Sequence, residues 1–575
     1  MLEEKPTKRV KEEIVKENSN YLRGTIKEEL KENTIRFNDD ANLKLLKFHG
    51  IYQQDNRDSR QGRIANNLEK EYSFMVRTKL PGGVLTPAQY IGLNIICDKY
   101  SNKTLRITTR QTIQFHGIIK GSLQETLNKI NENLILTYGA CGDVVRNVMA
   151  CPVCDIDPRY SVNLNEYAKQ ISDHLLPNTS AYYEIWVDEE KVDLSTDKSE
   201  VIYGKTYLPR KFKIGLALPE DNCIDLFTQD VGVVGITGKC HPEQSEGSHV
   251  RSFVAKAPQD DIIGFNLLVG GGLGHNHNKP ETYPRLASEL GFVEPEKLIN
   301  TLEKIVTIQR DFGSRENRRH ARMKYLIDDR GIDWFKNELE KRMGYKLGKL
   351  KEIKEYKACD HLGWHKQKDG LWYLGLFIEN GRILDDENRK IKSGLLEIVE
   401  KYKPDVRLTP HQNLILININ EKDKSEIDII LEKSKIYRQE TVSNLRRNSI
   451  ACVALPTCGL ALAEAERELP GVIDELEKLG FKDEILSIRM SGCPNSCSRA
   501  PVSELGFIGT SANQYNIYLG GDFEGTKLNK IYKQNISGDN LVSEIAKLLN
   551  LYRNKRNGNE KFGDFCNRVG LESLK

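Results

Sequence analysis

The segment Arg106-Ile-Thr-Thr-Arg-Gln-Thr112 decides the fold, because the chain repeats it as Arg407-Leu-Thr-Pro-His-Gln-Asn413. A second segment, Arg146-Asn-Val-Met-Ala-Cys151, returns as Arg447-Asn-Ser-Ile-Ala-Cys452, and in both cases the residue numbers differ by 301. Phe265-Asn-Leu-Leu-Val-Gly-Gly271 returns as Tyr515-Asn-Ile-Tyr-Leu-Gly-Gly521 at a difference of 250. Repeated motifs in one order predict an ancient duplication, and therefore two similar halves about a pseudo-twofold axis. A large ligand is expected between such halves.

Composition narrows the class of protein. The 575 residues are 39% hydrophobic with a net charge of +3, typical of a globular chain and without a bias towards nucleic acid. The longest nearly apolar stretch, at 262–274, is shorter than the roughly 20 residues of a membrane-spanning helix, and the first residues do not resemble a secretion signal. Twelve cysteines are too few for a disulfide scaffold. We therefore expect a cytoplasmic protein with reduced thiols and without membrane or nucleic-acid partners.

Short β-rich runs alternate with amphipathic helices from about residue 70 onward, which predicts a mixed α/β or α+β protein. The first 45 residues are rich in Lys, Glu and Asn, and we expect an exposed helix or arm there. A polar segment at 239–260 is predicted to be an extra loop of the first half.

Two cysteine pairs in the second half are the strongest chemical signal: Cys452 with Cys458, and Cys493 with Cys497. Four thiolates can hold zinc or the irons of a 4Fe–4S cluster. The cysteines of the first pair are six residues apart and those of the second pair four. These spacings differ from the closely spaced cysteines of ferredoxins and from the two cysteine pairs of a zinc ribbon. They suit two separate loops that bind one cluster. The spacing favours the cluster, while zinc and unligated thiols stay open as alternatives.

The first half has only Cys151 and Cys154 at the place of the first pair, and no second pair with the same spacing follows. We interpret these two thiols as vestigial, with a zinc site formed by Cys141, Cys151 and Cys154 as the alternative. The remaining cysteines are predicted to be packing or surface residues: Cys97, Cys223, Cys240, Cys359 and Cys566.

Basic residues in strand-like segments form a second signal. Surface charge explains any one of them, but a converging set would suit a polyanionic ligand or a small oxyanion. The set comprises Arg77, Arg106, Arg110, Arg146, Arg210, Lys211 and Lys213. If one strand is continuous from Arg106 to His116, then Arg106, Arg110, Gln114 and His116 share one face. A further basic stretch at 310–324 is read as a helix whose arginines either face an anionic partner or are solvated.

Together these motifs resemble the sulfite/nitrite reductase family, and most closely its assimilatory, NADPH-linked branch. The resemblance covers nearly the whole chain and includes Arg110-Gln-Thr-Ile-Gln-Phe-His-Gly117 and Thr206-Tyr-Leu-Pro-Arg-Lys-Phe-Lys213 as well as the cysteine pairs. It implies a pseudo-twofold α+β fold of three domains with ferredoxin-like half-domains. The implied division is 1–60 (arm), 61–135 and 346–425 (ferredoxin-like halves), 136–345 (sirohaem and substrate) and 426–575 (cluster and sirohaem).

The resemblance also assigns roles to residues. Cys452, Cys458, Cys493 and Cys497 would bind a 4Fe–4S cluster, and Cys497 would also be the proximal ligand of a sirohaem iron. Arg77, Arg146, Lys211 and Lys213 would hold the substrate oxyanion. Arg106, Arg110, Gln114, His116 and Asn495 would contact the cofactors. Cys141 is the candidate for a cysteine that cross-links to a tyrosine in some relatives.

The activity implied is the six-electron reduction of sulfite to sulfide, with nitrite reduction to ammonia as the alternative. Lys213, the second lysine of Lys-Phe-Lys, favours sulfite. No flavin or NADPH motif is recognised in the sequence, so a flavoprotein partner, or alternatively ferredoxin, would supply electrons. A zinc-stabilised binding protein without activity is the more distant alternative.

Overall fold

The protein was analysed as a computed structural model that describes residues 9–160, 162–187, 200–238, 261–277 and 279–575. The expected extra loop at 239–260 and Cys240 lie outside these residues. In the described part, the strands form four five-stranded sheets that combine antiparallel and parallel pairs, and helices cover them. The α+β class is therefore confirmed.

The elements are as follows. The strands are β1 (Ile51–Asp55), β2 (Tyr72–Arg77), β3 (Val84–Leu85), β4 (Leu105–Ile107), β5 (Ile113–Ile118), β6 (Met149–Ala150), β7 (Ile214–Ala217), β8 (Val231–Gly238), β9 (Asp261–Val269), β10 (Ser288–Val293), β11 (Gly363–Lys366), β12 (Trp372–Leu376), β13 (Arg382–Ile383), β14 (Asp405–Leu408), β15 (Leu414–Ile419), β16 (Ser449–Ala451), β17 (Ile488–Ser491), β18 (Leu505–Ser511), β19 (Gln514–Leu519) and β20 (Lys530–Ser537). The helices are α1 (Lys11–Glu17), α2 (Ile26–Lys31), α3 (Asp40–Leu45), α4 (Arg60–Ala65), α5 (Pro87–Tyr100), α6 (Leu123–Glu132), α7 (Leu164–His174), α8 (Leu298–Phe312), α9 (Met323–Arg330), α10 (Ile332–Met343), α11 (Ile391–Tyr402), α12 (Lys424–Lys433), α13 (Asn444–Arg447), α14 (Leu469–Lys478), α15 (Leu541–Lys555), α16 (Phe562–Val569) and α17 (Leu571–Leu574).

Two sheets are related by exchange of a strand between the halves. One has the order β1-β2-β5-β4-β13 and the other β11-β12-β15-β14-β3. Each therefore ends on a two-residue strand from the other half: Arg382 pairs with Arg106, and Val84 pairs with Arg407. The two sequence motifs that reveal the duplication thus lie where each half borrows its fifth strand.

The other two sheets share one topology. Strands β6, β7 and β8 pair in parallel, and β9 and β10 continue antiparallel. Strands β16 to β20 repeat this order. Ile214 pairs with Val231, and Ile488 pairs with Leu505, so both partners of the second pair are 274 residues further along. The predicted pseudo-twofold arrangement is confirmed by this register.

Local sequence explains where the helices begin. Thr86 caps α5 in a capping box with Gln89, and Pro87 occupies the first helical position. Helix α5 then packs against α6 and α11 over the first two sheets. One apolar core runs through residues 22–436, and another fills residues 445–574 beneath the last sheet.

The structure corrects the expectation of an exposed N-terminal arm. Glu13 and Lys16 of α1 are 1% and 2% exposed, because Lys16 bonds to Glu13 and to the Leu208 carbonyl while Arg315 also binds Glu13. The charges of this helix are thus paired against the body of the protein. No helix in the described ranges is both long and apolar enough to span a membrane.

The basic stretch at 310–324 does not form the continuous helix that was predicted. Helix α8 ends at Phe312 and α9 begins only at Met323. Three arginines between these helices form ion pairs with different carboxylates: Arg315 with Glu13, Arg318 with Asp143 and Arg322 with Asp230. Like-charge repulsion along one helix face therefore does not arise.

Candidate cofactor site

The two cysteine pairs are brought together by neighbouring parallel strands. Cys452 directly follows β16, and Cys493 lies two residues beyond β17, and these strands pair Ala451 with Met490. Because parallel strands end at the same edge of a sheet, both loops leave the sheet together. Gly492 lets the backbone of this loop lie close to Ala463, because a Cβ atom at Gly492 would be 2.5 Å from the Ala463 carbonyl oxygen.

The four thiols share one electrostatic environment. Burial raises the pKa of Cys452 well above its usual value, and the nearby Cys497 and Cys493 raise it further. Burial and then Cys497 raise the pKa of Cys493 to about 12. The amide of Gly492 donates to the Cys452 sulfur over 3.3 Å. Backbone donors that face sulfur are the surroundings in which a bound cluster stabilises its thiolates.

The four candidate cluster cysteines do not form a compact site for a single ion. Ligand atoms of one tetrahedral zinc lie about 3 to 4 Å apart. In the described part of the chain, only Cys151, Asp221 and His361 bring three ligand atoms within 4.8 Å of one another. The donor set itself, four thiols with backbone donors facing them, fits the four irons of a 4Fe–4S cluster.

Cys497 differs from the other three cysteines because it is exposed. It opens into a cavity lined by residues of both halves, to which its own loop contributes residues 495–497. The other lining residues are Thr109, Arg110, Lys211, Lys213, Thr228, Gln229, Leu273, Gly274, Arg322 and Arg499. Five of these side chains are cations, so the cavity suits a ligand with several carboxylates.

Lys211 and Lys213 line this cavity, and both side chains are partly buried. Burial, followed by the Arg210 and Arg146 guanidinium groups, holds the pKa of Lys211 well below its ordinary value. Burial, Arg110 and Lys211 act in the same way on the pKa of Lys213. Neither ammonium makes a hydrogen bond or ion pair with a described residue, although the nearby Asp230 carboxylate offsets part of the charge at Lys213. Partly buried cations without a direct partner indicate an anionic ligand.

A ladder of polar side chains crosses the neighbouring sheet beside this cavity. Arg77, Gln114 and Arg106 lie opposite one another on β2, β5 and β4. The Gln114 carboxamide, oriented to satisfy both groups, accepts from the Arg77 guanidinium over 2.6 Å. Arg106 reaches Glu466 and the Ala451 carbonyl, next to Cys452.

His116 lies two residues beyond Gln114 on β5 and is buried. Both of its ring nitrogens lack a hydrogen-bond partner among the described residues. Burial, followed by Arg382 and Arg106, keeps the pKa of His116 well below its usual value. An orphaned imidazole at this position fits a ligand group with polar atoms.

The expectation of one continuous strand is wrong. A turn at residues 108–112 separates β4 from β5, with Gln111 at a φ of 53°. Arg110 therefore leaves the face of Arg106 and points into the cavity, where it donates to the Gln229 side chain over 2.6 Å.

Arg146 and Cys141 lie at the edge of the same region. Arg146 donates to the Gly142 carbonyl over 3.1 Å. The Cys141 sulfur accepts from Arg77 over 3.2 Å, and burial followed by the nearby Cys141 thiol raises the pKa of Tyr52. Cys141 thus lies beside a tyrosine, whereas Cys151 contacts Asp221. Among the described residues, the close group of ligand atoms around Cys151 does not include Cys141.

Sequence reasoning gave no site role to Arg499 and Gln229, and it placed Arg322 only in a basic stretch that faces either an anionic partner or solvent. Arg322 forms an ion pair with Asp230, and Gln229 is the residue just before Asp230 in the chain. Arg499 comes from the turn that follows Cys497, where its φ is 65°. Only the proximity of Arg499 to Cys497 in the sequence could have signalled its position.

Comparison with known proteins agrees with this geometry. A family model described as the nitrite and sulphite reductase 4Fe-4S domain matches residues 141–347 and 485–575. A second, described as the nitrite/sulfite reductase ferredoxin-like half domain, matches residues 67–133 and 365–434.

Whole-chain relatives and a solved structure extend the match. The sulfite reductase (NADPH) hemoprotein beta-component of Oceanobacillus iheyensis is 46% identical, covering 98% of this chain and 95% of that protein. Its counterpart in Anoxybacillus flavithermus is 45% identical, covering 97% and 95%. The structure of Mycobacterium tuberculosis NirA has the same fold, with a TM-score of 0.76, 23% identity and coverage of 97% and 95%. The chain belongs to the nitrite and sulphite reductase family.

Proposed function

We propose that the protein reduces sulfite to sulfide, using a sirohaem coupled to a 4Fe–4S cluster. The single observation that carries this proposal is the exposed Cys497 thiol, which joins the four-cysteine site to a cavity lined with cations. The names of the relatives, which denote sulfite reductase hemoproteins, support the same activity.

Cys452, Cys458, Cys493 and Cys497 would hold the cluster, and Cys497 would also be the ligand of the sirohaem iron. When bound, the coupled pair supplies electrons one at a time to a substrate at the iron. The Gly492 amide and the Asn495 side chain, which face the Cys452 and Cys493 sulfurs, would stabilise the thiolates.

Arg106, Arg110, Gln114, His116 and Asn495 would contact the cofactors. Arg110 lines the cavity directly, and Arg106 is fixed beside Cys452 by Glu466. Both guanidinium groups remain charged and would pair with the carboxylates of the macrocycle. His116 would make a further polar contact with the cofactors.

Arg77, Arg146, Lys211 and Lys213 would bind the sulfite dianion. The reduction consumes six electrons and releases three oxygens as water, so each departing oxygen needs protons. Lys211 and Lys213 suit proton delivery because burial and neighbouring cations lower the pKa of each ammonium. Arg77 and Arg146 would stay charged and hold the anion.

We propose that the electrons come from a separate flavoprotein, with ferredoxin as the alternative donor. The relatives are named beta-components linked to NADPH, which supports a partner subunit. We also propose a cytoplasmic location, in keeping with the unpaired thiols of the described chain.

A substitution of the bridging cysteine tests the proposal. Cys497→Ser should abolish sulfite turnover with reduced methyl viologen and change the haem spectrum, because the link between cluster and haem is broken. Cys566→Ser is the matched control, since this thiol is buried in the apolar core of the same half. Normal turnover by Cys497→Ser would contradict the assignment. A large kcat/KM preference for nitrite in the unmodified protein would instead favour nitrite reduction.

A further inference from the structure

A second group of metal-type ligands lies in the first half, away from the four-cysteine site. Cys151, Asp221 and His361 bring their ligand atoms within 4.8 Å of one another, and all three are buried. The Asp221 carboxylate oxygen Oδ2 lies 2.9 Å from the Cys151 sulfur and 2.8 Å from Nε2 of His361. This group, which we call the first-half site, was not expected from the sequence.

Two more thiols lie near the same sulfur. Cys154 and Cys223 are both buried, and each is close enough to Cys151 for the thiols to interact electrostatically. The thiolate is the form of cysteine that binds metals, so either thiol could add a sulfur ligand to the group. The interpretation of Cys151 and Cys154 as vestigial, and of Cys223 as an isolated packing residue, misses this convergence.

The pseudo-twofold axis relates the first-half site to the four-cysteine site. Cys151 follows β6 as Cys452 follows β16. The register that pairs Ile214 with Val231 and Ile488 with Leu505 places Cys223 at the position of Cys497, 274 residues earlier. Each of these cysteines precedes a left-handed residue and a 3-10 turn, at Asp225 and Arg499. The first half thus keeps cysteines at two corresponding positions, with Cys154 near a third.

The ligand type differs from the second half in an informative way. No cysteine stands at the counterpart of Cys493, which is Pro219. Instead, a carboxylate and an imidazole enter the first-half site. Mixed sulfur, nitrogen and oxygen ligands around one small volume are typical of zinc, and the Cys-x2-Cys spacing is a common zinc-binding pattern. Three ligand atoms within 4.8 Å of one another suit a single ion.

We propose that the first-half site binds one Zn²⁺ ion through Cys151, Asp221 and His361, with a fourth sulfur from Cys154 or Cys223. Without an ion, the buried thiol, carboxylate and imidazole have only one another as hydrogen-bond partners. Nδ1 of His361 has no hydrogen-bond partner among the described residues. An ion compensates the negative charge, and binding releases the thiol protons to solvent. The role is structural, since each ligand position is filled by the protein.

The ion would join segments that are distant in the chain. Cys151 follows β6, Asp221 follows β7, and His361 belongs to the segment that leads into β11 of the second half. The amide of Cys359 in that segment already donates to Asp221 over 3.4 Å. The zinc would therefore fix the connection between the halves without touching the proposed haem cavity.

Metal analysis of the purified holoenzyme tests the inference. We expect about one zinc per chain beside the roughly five irons of the two cofactors. Cys151→Ser and His361→Gln should each remove most of the zinc while leaving iron content and haem absorption unchanged. Cys97→Ser is the matched control, because this buried thiol accepts a hydrogen bond from Ser101 and is not one of the grouped ligand atoms.

X-ray absorption at the zinc edge of the unmodified protein makes the test independent of variant folding. Sulfur neighbours at about 2.3 Å together with lighter atoms at about 2.0 Å are expected. Protein that contains no zinc after growth with zinc supplied, zinc retained by both variants, or extra iron in place of zinc would each overturn the proposal. Zinc content is measured separately from iron, haem and turnover, so its failure leaves the proposed function unaffected.

Discussion

Lys211 and Lys213 are partly buried beside several arginines. Asp230 offsets part of the charge at Lys213, but neither ammonium forms an ion pair with a described carboxylate. The two lysines lie two residues apart just before β7, a spacing that in an extended segment directs both towards the cavity. An anion in this place would recover the energy lost by burying the charges.

Lys213→Ala should reduce sulfite turnover by about 100-fold or more, the usual range for removing a proton donor, while both cofactors stay bound. The matched control is Lys205→Ala, an exposed lysine in the same segment. Steady-state kinetics together with iron and haem content distinguish the outcomes. Unchanged kinetics in Lys213→Ala would exclude this lysine from the substrate site.

The lowered pKa values also predict a pH dependence. Each lysine loses its proton at a lower pH than an ordinary lysine, whose pKa is 10.5. The value of kcat/KM for sulfite should therefore fall as the pH rises, at a pH below 10.5. A double Lys211→Arg, Lys213→Arg variant keeps both charges at high pH and should lose this decline, although its turnover is lower. The same decline in both proteins would assign it to other groups.

At the scale of elements, the loop after β17 depends on a glycine. Gly492 follows β17, and a side chain there would meet Ala463 and Ala454, besides disturbing the amide that donates to Cys452. Gly471 in α14 offers the opposite case, since a Cβ atom there would meet nothing within 4 Å.

Gly492→Ala should therefore displace the Cys493–Cys497 loop and lower the iron content of the purified protein. Gly471→Ala should retain full iron and be neutral or more stable by about 0.5 to 1 kcal/mol, because alanine favours a helix. Iron analysis and thermal unfolding measure both effects. Equal iron content in the two variants would show that the loop tolerates the added methyl group.

At the scale of the whole molecule, a buried ion triad links the halves near the pseudo-twofold axis. Asp225 from the first half lies 2.5 Å from Arg489 and 2.6 Å from Arg499 of the second half. Asp225 and Arg499 occupy equivalent positions after β7 and β17. The duplication has thus diverged into opposite charges that pair with each other.

Asp225→Asn should destabilise the protein by about 3 to 5 kcal/mol, because two buried arginines lose their counter-ion. Asp58→Asn breaks a different link between the halves, to Arg467, in which both side chains are about half exposed. That control should cost less than about 1 kcal/mol. Denaturant unfolding compares the two, and equal losses would contradict the importance of the buried triad.

The sequence alone was sufficient for the duplication, the α+β class, the family and the two cysteine pairs. These properties depend on local motifs and on their order, which the chain carries without any knowledge of distance. Thr86, Gln89 and Pro87 likewise predict the start of a helix from neighbouring residues. The roles of the individual site residues remain proposals, which the variants above test.

Only the tertiary structure decided which charged and sulfur-containing side chains meet. Glu13 is buried and paired with Arg315, and the arginines at 315, 318 and 322 bind separate carboxylates. Cys223 lies near Cys151, which in turn lies near His361. Such meetings depend on strand register and on the pseudo-twofold axis, which bring together residues that are hundreds of positions apart, such as Arg106 and Glu466. Periodicity and spacing report neighbours along the chain, whereas ion pairs and ligand sets form through space.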